Sequence, residues 1–313
     1  STYQQGGIVA ASFSADVFCF HNKIIKPLEN FNSKTARDLA LNLESELQFS
    51  RALNKNKMLG FLLIDGLSMQ EENTITSLYN ALGDIGIIGG SAGDNMLFQK
   101  TSIFADGQFH SNAAVFGLIE TKLPFSIFKQ QHFKPSTKEV IITRSDTDLH
   151  IVYEINGESA ATAYAKAIGL SIAELSPQVF SQYPLIMEIA GNSYVRSIQS
   201  ANADGSLTFF CAIDDGLPMA IGQAVNVLDS LRQIFDVLQQ ELADIDLTLG
   251  CECLLRLLEN QKSGQIKNIE PLLREMNFLG FNSFGEQYNA LHVNQTLTGV
   301  AFGKTKRDVY ENK

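Results

Sequence analysis

The sequence predicts a mixed α/β fold of two strand-rich units, each with helices packed on its sheets. Two short patterns occur twice and in the same order: Ser91-Ala92-Gly93-Asp94 and Ser283-Phe284-Gly285-Glu286, then His110-Ser111-Asn112 and His292-Val293-Asn294. Each copy leads into an apolar run that is typical of a buried strand, at 113–119 and at 296–302. This internal echo predicts two similar sub-structures built on one plan.

Length and composition narrow the class of protein. With 313 residues, of which 45% are hydrophobic and 19% charged, the chain suits two domains or one large α/β domain. The net charge of −10 repels phosphate backbones and anionic membrane surfaces, so we expect neither nucleic acid nor a membrane as a partner. No apolar stretch approaches the roughly 18 residues of a spanning helix, and the start of the chain does not resemble a leader, so we predict a cytoplasmic protein.

The elements of the first half follow from the spacing of apolar residues. A strand is expected at 6–13, at the very start of the chain. Then come an amphipathic helix over 33–53 with Ser33 as its cap, a strand at 59–64, a helix at 71–82, and a strand at 85–88 that runs into glycines. From 103 to 142 the pattern is strand-rich, with turns expected at Asp106-Gly107 and Leu123-Pro124.

A polar stretch at 144–149 is the expected boundary between units at 1–145 and 146–313. The elements predicted beyond it are a helix at 159–168, a strand at 185–189, a hairpin over 194–213 with its turn at Asp204-Gly205, helices at 222–242, 253–260 and 269–276, and strands around Leu279 and Leu297. The four cysteines lie in apolar runs and are expected to be reduced and buried.

One pattern suggests acyl hydrolysis. Gly89-Gly90-Ser91-Ala92-Gly93 matches the G-x-S-x-G elbow of a nucleophilic serine, and Asp214 and His292 follow in the chain order of a catalytic triad. That elbow requires a helix directly after it, whereas 95–104 lacks helical periodicity. The glycines are therefore better explained as turn residues, and no catalytic role is expected.

The five histidines are candidates for binding chemistry. His110 and His292 occupy equivalent places in the echo, which favours a structural hydrogen bond at the entry of a strand. His132 differs, because Phe128, Phe133 and Lys134 lie close to it in sequence. A haem pocket combines an imidazole for iron, apolar walls for the macrocycle and cations for the propionates. The alternative is a packed or half-exposed histidine, which local composition alone favours.

Three segments of the chain resemble the FIST family of sensory proteins. They are Ile88-Gly89-Gly90-Ser91-Ala92-Gly93-Asp94-Asn95, Asn156-Gly157-Glu158-Ser159-Ala160, and Phe281-Asn282-Ser283-Phe284-Gly285-Glu286 with His292-Val293-Asn294-Gln295-Thr296. Gln131-His132-Phe133-Lys134-Pro135 is similar to the NosP branch, which comprises bacterial haem proteins. The resemblance extends from the first strand to about Gly303. The family pattern ordinarily has a further segment upstream of the strand at 6–13.

The resemblance implies a sensor without enzymatic activity, made of a FIST N and a FIST C domain. The NosP branch further implies haem b held by His132 within Phe128, Phe133 and Lys134, with His292 as the second candidate ligand. Its signal would be nitric oxide, which weakens the bond between iron and histidine. Its partners would be a histidine kinase or a cyclic-di-GMP synthesis or degradation enzyme that controls biofilm formation, and the sensor itself could be a homo-oligomer.

A second hypothesis is a receptor for a small metabolite such as an amino acid. Its pocket would lie between the two domains, with the loops at 91–93 and 283–285 as polar contacts. The serine hydrolase is the third hypothesis. Colour distinguishes the first from the others, because a haem protein is red.

Overall fold

A computed structural model describes residues 3–4, 6–47, 54–189, 191–242 and 244–304. Within these residues the fold is mixed α/β, with seven helices and twenty strands, which confirms the predicted fold class. The helices are α1 (Ser33–Glu46), α2 (Glu71–Leu82), α3 (Ala160–Ile168), α4 (Pro177–Gln182), α5 (Val227–Glu241), α6 (Leu254–Lys262) and α7 (Ile266–Glu275).

The strands of the first half are β1 (Phe18–Ile25), β2 (Met58–Asp65), β3 (Gly86–Ala92), β4 (Ile103–Ala105), β5 (Gln108–His110), β6 (Ala114–Thr121), β7 (Phe125–Gln130) and β8 (Phe133–Asp146). Those of the second half are β9 (Ile151–Ile155), β10 (Glu158–Ser159), β11 (Leu185–Ile189), β12 (Asn192–Arg196), β13 (Ile198–Ala201), β14 (Leu207–Phe209), β15 (Pro218–Ala224), β16 (Asp244–Cys253), β17 (Phe278–Ser283), β18 (Glu286–Tyr288), β19 (Leu291–Val293) and β20 (Leu297–Lys304).

The internal echo is a structural repeat. The first sheet has the order β1-β6-β2-β3-β18-β19, and the second has the order β7-β20-β16-β17 when it is read from β7. In each sheet a strand and its parallel neighbour are connected through helices, β2 to β3 by α2 and β16 to β17 by α6 and α7. Along the chain a hairpin then follows, β4–β5 in the first case and β18–β19 in the second. The strand after it pairs antiparallel with the first strand of the parallel pair, β6 with β2 and β20 with β16. We call residues 18–121 repeat 1, and strand β7 together with residues 227–304 repeat 2.

The two sheets pack face to face, with helices on their outer sides. Strand β2 is apolar up to its last residue, Asp65, because both of its faces are covered. Its Leu62 and Ile64 pack with α1 and α2, while Leu59 packs with Val300 and Phe302 of the opposite sheet. Helices α5 and α7 cover the outer side of the second sheet in the same way. The result is a layer order of helix, sheet, sheet, helix.

An additional unit lies between the first strand of repeat 2 and helix α5. Its sheet has the order β12-β11-β15-β8-β9-β14-β13, with β10 paired to β9. Helices α3 and α4 pack on it around Tyr164 and Phe180. The predicted boundary between residues 145 and 146 falls within β8, so strand pairing continues across it.

Several local predictions differ from the structure. Residues 6–13 form no strand, and Ile8 is 97% exposed. The cap of α1 is Asn32 rather than Ser33, since the Asn32 side chain accepts hydrogen bonds from the backbone N–H groups of Lys34 and Thr35. The helix ends at Glu46, and the predicted continuation over 48–53 lies outside the described residues. The helix predicted to begin at residue 222 begins at Val227, because 218–224 is strand β15.

Most predicted turns are present. Asp106 and Gly107 both have positive φ values, as a tight hairpin turn requires, and they connect β4 to β5. The turn at Asp204-Gly205 connects β13 to β14. The four cysteines are free, and all but the half-buried Cys19 are buried.

Candidate functional site

His132, the predicted iron ligand, lies in the short connection between β7 and β8 and is 1% exposed. Its Nδ1 is 2.9 Å from the Nη1 of Arg256, and its Nε2 is 3.0 Å from the Oε2 of Glu259. The Nε of Arg256 donates to the Oε1 of Glu252 at 3.0 Å. Helix α6 begins directly after β16, so Glu252 lies near the end of the strand, and Arg256 and Glu259 follow three residues apart on one face of the helix.

These contacts determine which ring nitrogen carries the proton. A guanidinium can only donate, so Nδ1 of His132 accepts from Arg256, and Nε2–H donates to Glu259. Burial is the largest effect and lowers the pKa of His132; the hydrogen bond with Glu259 opposes it, and the charge of Arg256 adds to it. The imidazole is therefore neutral at pH 7 and completes a buried chain of Glu252, Arg256, His132 and Glu259.

This arrangement does not fit a haem. Iron needs the lone pair of a ring nitrogen, and both nitrogens of His132 are engaged by protein partners. The two predicted apolar walls belong to different clusters, since Phe128 packs with α5 and α7 whereas Phe133 packs with Ile186 and Val195. Lys134 is exposed and pairs with Gln223 across the sheet.

His292, the second candidate ligand, is also bonded at both nitrogens. It is 2% exposed on β19. The Nε2 of the Gln287 amide lies 3.1 Å from its Nδ1, and the backbone oxygen of Phe210 lies 3.2 Å from its Nε2. Because the amide nitrogen donates and the carbonyl accepts, Nε2 carries the proton. His292 thus has the structural hydrogen-bonding role that its place in the echo predicted, and it joins repeat 2 to the additional unit.

The three residues of the hypothetical triad are not assembled. Ser91 is 1% exposed within strand β3, and no helix follows it directly. Its Oγ accepts a hydrogen bond from the Nε2 of Gln287 at 3.1 Å, and that amide separates it from His292. Asp214 lies in an exposed turn. The geometry lacks the serine–histidine hydrogen bond on which nucleophilic catalysis depends.

The loops predicted to line a pocket between the domains bond to each other instead. The Ser91 N–H donates to the Gly285 carbonyl at 2.8 Å, and the Phe284 N–H donates to the Ser91 carbonyl at 3.0 Å. A Cβ atom on Gly93 would lie 2.8 Å from the Phe284 ring, so this glycine allows the close approach. The two loops are therefore part of the contact between the repeats.

A cavity of about 380 Å³ opens at the carboxyl end of β2. Sequence reasoning identified none of its residues as a binding residue, although the carboxyl ends of parallel strands are the usual place for ligands in open α/β sheets. Its walls come from the turn after β1, the loop after β2, and the two segments that flank the β4–β5 hairpin. The lining residues are Glu29, Asp65, Leu67, Ser68, Gln70, Gln99, Lys100, Thr101, Ser111 and Asn112.

The cavity combines a rigid floor with charged groups at its rim. Asp65 is 5% exposed, and its carboxylate accepts hydrogen bonds from the N–H groups of Leu67 and Asn112 and from the Thr101 hydroxyl. These bonds hold three segments of the wall together. At the rim, the Asn112 amide donates to Glu29 at 2.6 Å, and this hydrogen bond lowers the pKa of Glu29. Lys100 is exposed, and its Nζ has no partner among the described residues.

Comparisons with known proteins cover nearly the whole chain. The FIST N domain family matches residues 1–158, and the FIST C domain family matches residues 160–289. The uncharacterized protein MJ1623 of Methanocaldococcus jannaschii is 24% identical over 283 residues, a match that covers 79% of this chain and 54% of that protein. The chain thus spans about half the length of this curated relative. No solved structure matches the present chain.

Among the described helices, none is both long enough and apolar enough to cross a membrane. Among all the described residues, no three His, Cys, Asp or Glu side chains form a group that could hold a metal ion.

Proposed function

The chain belongs to the FIST family, whose domains are sensory, and we propose that it is a receptor for a small polar metabolite such as an amino acid. The ligand would occupy the cavity at the carboxyl end of β2. The observation that supports this most directly is that charged and polar side chains, Glu29, Asp65, Lys100 and Asn112, line this open cavity of about 380 Å³.

The polar lining supports a ligand that carries both a positive and a negative charge. Glu29 offers a carboxylate at the rim, and Lys100 offers an ammonium group from the segment that precedes the β4–β5 hairpin. An α-amino acid presents the complementary pair, an ammonium group and a carboxylate. Asp65 would act indirectly, since its oxygens already hold the N–H groups of Leu67 and Asn112 and so position the wall.

The cavity wall suggests a route for the signal. Residues 99–101 and 111–112 line the cavity and are also the two stems of the β4–β5 hairpin. A ligand that draws the stems together would shift the hairpin only if it binds one hairpin position more tightly than the other. The output partner would be a signalling protein, and a histidine kinase or a cyclic-di-GMP enzyme stays the predicted class.

Ligand binding can be tested by measuring the melting temperature and binding heat of the protein against a panel of amino acids and their amine or carboxylate analogues. We expect at least one amino acid to bind, and Lys100→Ala and Glu29→Gln each to weaken it by about tenfold, the effect of losing one charged hydrogen bond. Lys34→Ala is the matched control, because Lys34 is exposed on α1 and does not line the cavity. Failure of the whole panel to bind, or equal weakening by the control, would contradict the proposal.

The haem hypothesis has a separate test. For His132 to meet iron, the hydrogen bonds with Arg256 and Glu259 must first break. The wild-type protein and His132→Ala should be titrated with haemin and their absorption spectra recorded with and without nitric oxide. A Soret band that forms in the wild-type protein and is lost in His132→Ala would support haem sensing; the metabolite proposal expects no difference between the two.

A further inference from the structure

The β4–β5 hairpin presents an exposed aromatic pair. Phe104 is 60% exposed and Phe109 is 75% exposed, although their rings pack against each other at a centroid distance of 5.0 Å. The two residues are directly opposite across the hairpin. An isolated two-stranded hairpin is marginal in water, and an exposed aromatic cluster on a short hairpin is typical of a contact surface.

The equivalent hairpin of repeat 2 shows what such a hairpin does in this fold. Strands β18 and β19 follow Ser283 as β4 and β5 follow Ser91, and they extend the sheet of the other repeat. Strand β18 pairs antiparallel with the edge strand β3, with Glu286 opposite Gly90 and Tyr288 opposite Ile88. A hairpin of one repeat thus completes the exposed edge of the other repeat.

The reciprocal contact is missing among the described residues. Strand β17 has the same place in the second sheet as β3 has in the first. The outer side of β17 therefore corresponds to the side of β3 on which β18 pairs. No strand of the described residues pairs with that edge of β17. The segment from Ser91 to His110 is ten residues longer than that from Ser283 to His292, and it carries β4 and β5 into a separate two-stranded sheet.

The edge of β17 also lacks the features that protect free edges. Natural sheets block an exposed edge with lysine, proline, a bulge or an inward charge. Strand β17 has the sequence FLGFNS, without a charge or a proline, and its Phe281 is 37% exposed. The edge strand β1 contrasts with it, because Lys23 of β1 is ion-paired with Glu46 at 2.9 Å.

We propose that the β4–β5 hairpin of one molecule docks on the β17 edge of a second copy of this chain. The chain itself contains both surfaces, and the contact between β18 and β3 is its internal precedent. Backbone hydrogen bonds would form along the edge, and Phe104 and Phe109 would pack near Phe281. A reciprocal pair of these contacts would form a closed dimer. The docking does not depend on the proposed metabolite; only its control through the stems 99–101 and 111–112 rests on that function.

The test is self-association measured by sedimentation velocity over a series of protein concentrations. We compare the wild-type chain, the hairpin variant Phe104→Ser/Phe109→Ser, and the edge variant Phe281→Lys. Leu41→Ser is the matched control, since Leu41 is 65% exposed on α1, away from both surfaces. We expect the wild-type chain and the control to associate, and each variant alone to associate at least about tenfold more weakly, because aromatic anchors dominate such contacts. The circular dichroism spectrum and melting temperature verify that each variant is folded.

Mixing the two variants identifies the partner surface. The edge variant retains its hairpin and the hairpin variant retains its edge, so the mixture should form a heterodimer that neither forms alone. Backbone amides of β17 should exchange more slowly with deuterium as the wild-type concentration rises. A wild-type chain that stays monomeric at every concentration, or an edge variant that associates as well as the wild type, would overturn the proposal. Either result would leave metabolite binding, measured separately, unaffected.

Discussion

At the residue scale, the clearest consequence concerns the buried guanidinium of Arg256. Its side chain is 0% exposed, and it bridges the Glu252 carboxylate and the His132 imidazole. Removing it would leave a carboxylate in the interior without its counter-charge and an imidazole nitrogen without its donor. Buried ion pairs add little net stability, but breaking one from a single side is costly.

We therefore predict that Arg256→Ala lowers the free energy of unfolding by about 3–5 kcal/mol. Urea denaturation measures this value. Arg232→Ala is the control, because Arg232 is 59% exposed and its ion pair with Asp229 is solvated. That substitution should cost less than about 1 kcal/mol. Equal losses for the two variants would show that the buried chain of contacts does not form.

At the element scale, the first turn of α1 distinguishes a local prediction from its outcome. Both Asn32 and Ser33 are good capping residues, so sequence preference alone could not choose between them. Asn32 has the extended backbone of a cap, and the Thr35 side chain accepts a hydrogen bond from its N–H in return. Strand β15 is a second case, since pairing with both β8 and β11 outweighs the apolar run that suggested a helix from residue 222.

We predict that Asn32→Ala lowers the free energy of unfolding by about 1 kcal/mol, whereas Ser33→Ala, one residue inside the helix, changes it by no more than a few tenths. Guanidinium denaturation of both variants measures the difference. The reverse order, with Ser33→Ala as the costly change, would return the cap to the position that the sequence alone suggested.

At the scale of the whole molecule, buried acids and buried histidines set opposing dependences on pH. Burial raises the pKa of Glu71 and of Glu286 to about 8, well above their ordinary value of 4.5. Burial lowers the pKa of His132, His150 and His292 below 6.5. The acids contribute stability that is lost as pH rises from 4.5 to about 8. The histidines contribute stability that is present above 6.5 and lost as pH falls below it.

Between about pH 7 and 8 the histidines are mostly neutral in both states, because their ordinary pKa is 6.5, so the acids dominate. We predict that the free energy of unfolding decreases as pH rises through this window. Urea denaturation at several pH values measures the slope, and Glu286→Gln should flatten it, because the amide cannot lose a proton. A slope that is flat in the wild-type protein would mean that both carboxyl groups are already ionised in the folded state.

Local patterns of residues were enough to predict the repeat, most of the strands and helices, and the family. These depend on short-range periodicity and on local motifs such as the echo at Ser91 and Ser283, which are visible in any window of the chain. Which surfaces meet is seen only in the folded molecule. Arg256 reaches His132 across 124 residues, and β18 joins the sheet of the first repeat rather than its own. Such pairings depend on which edges and buried charges remain unsatisfied after the local elements form, and no local pattern records that.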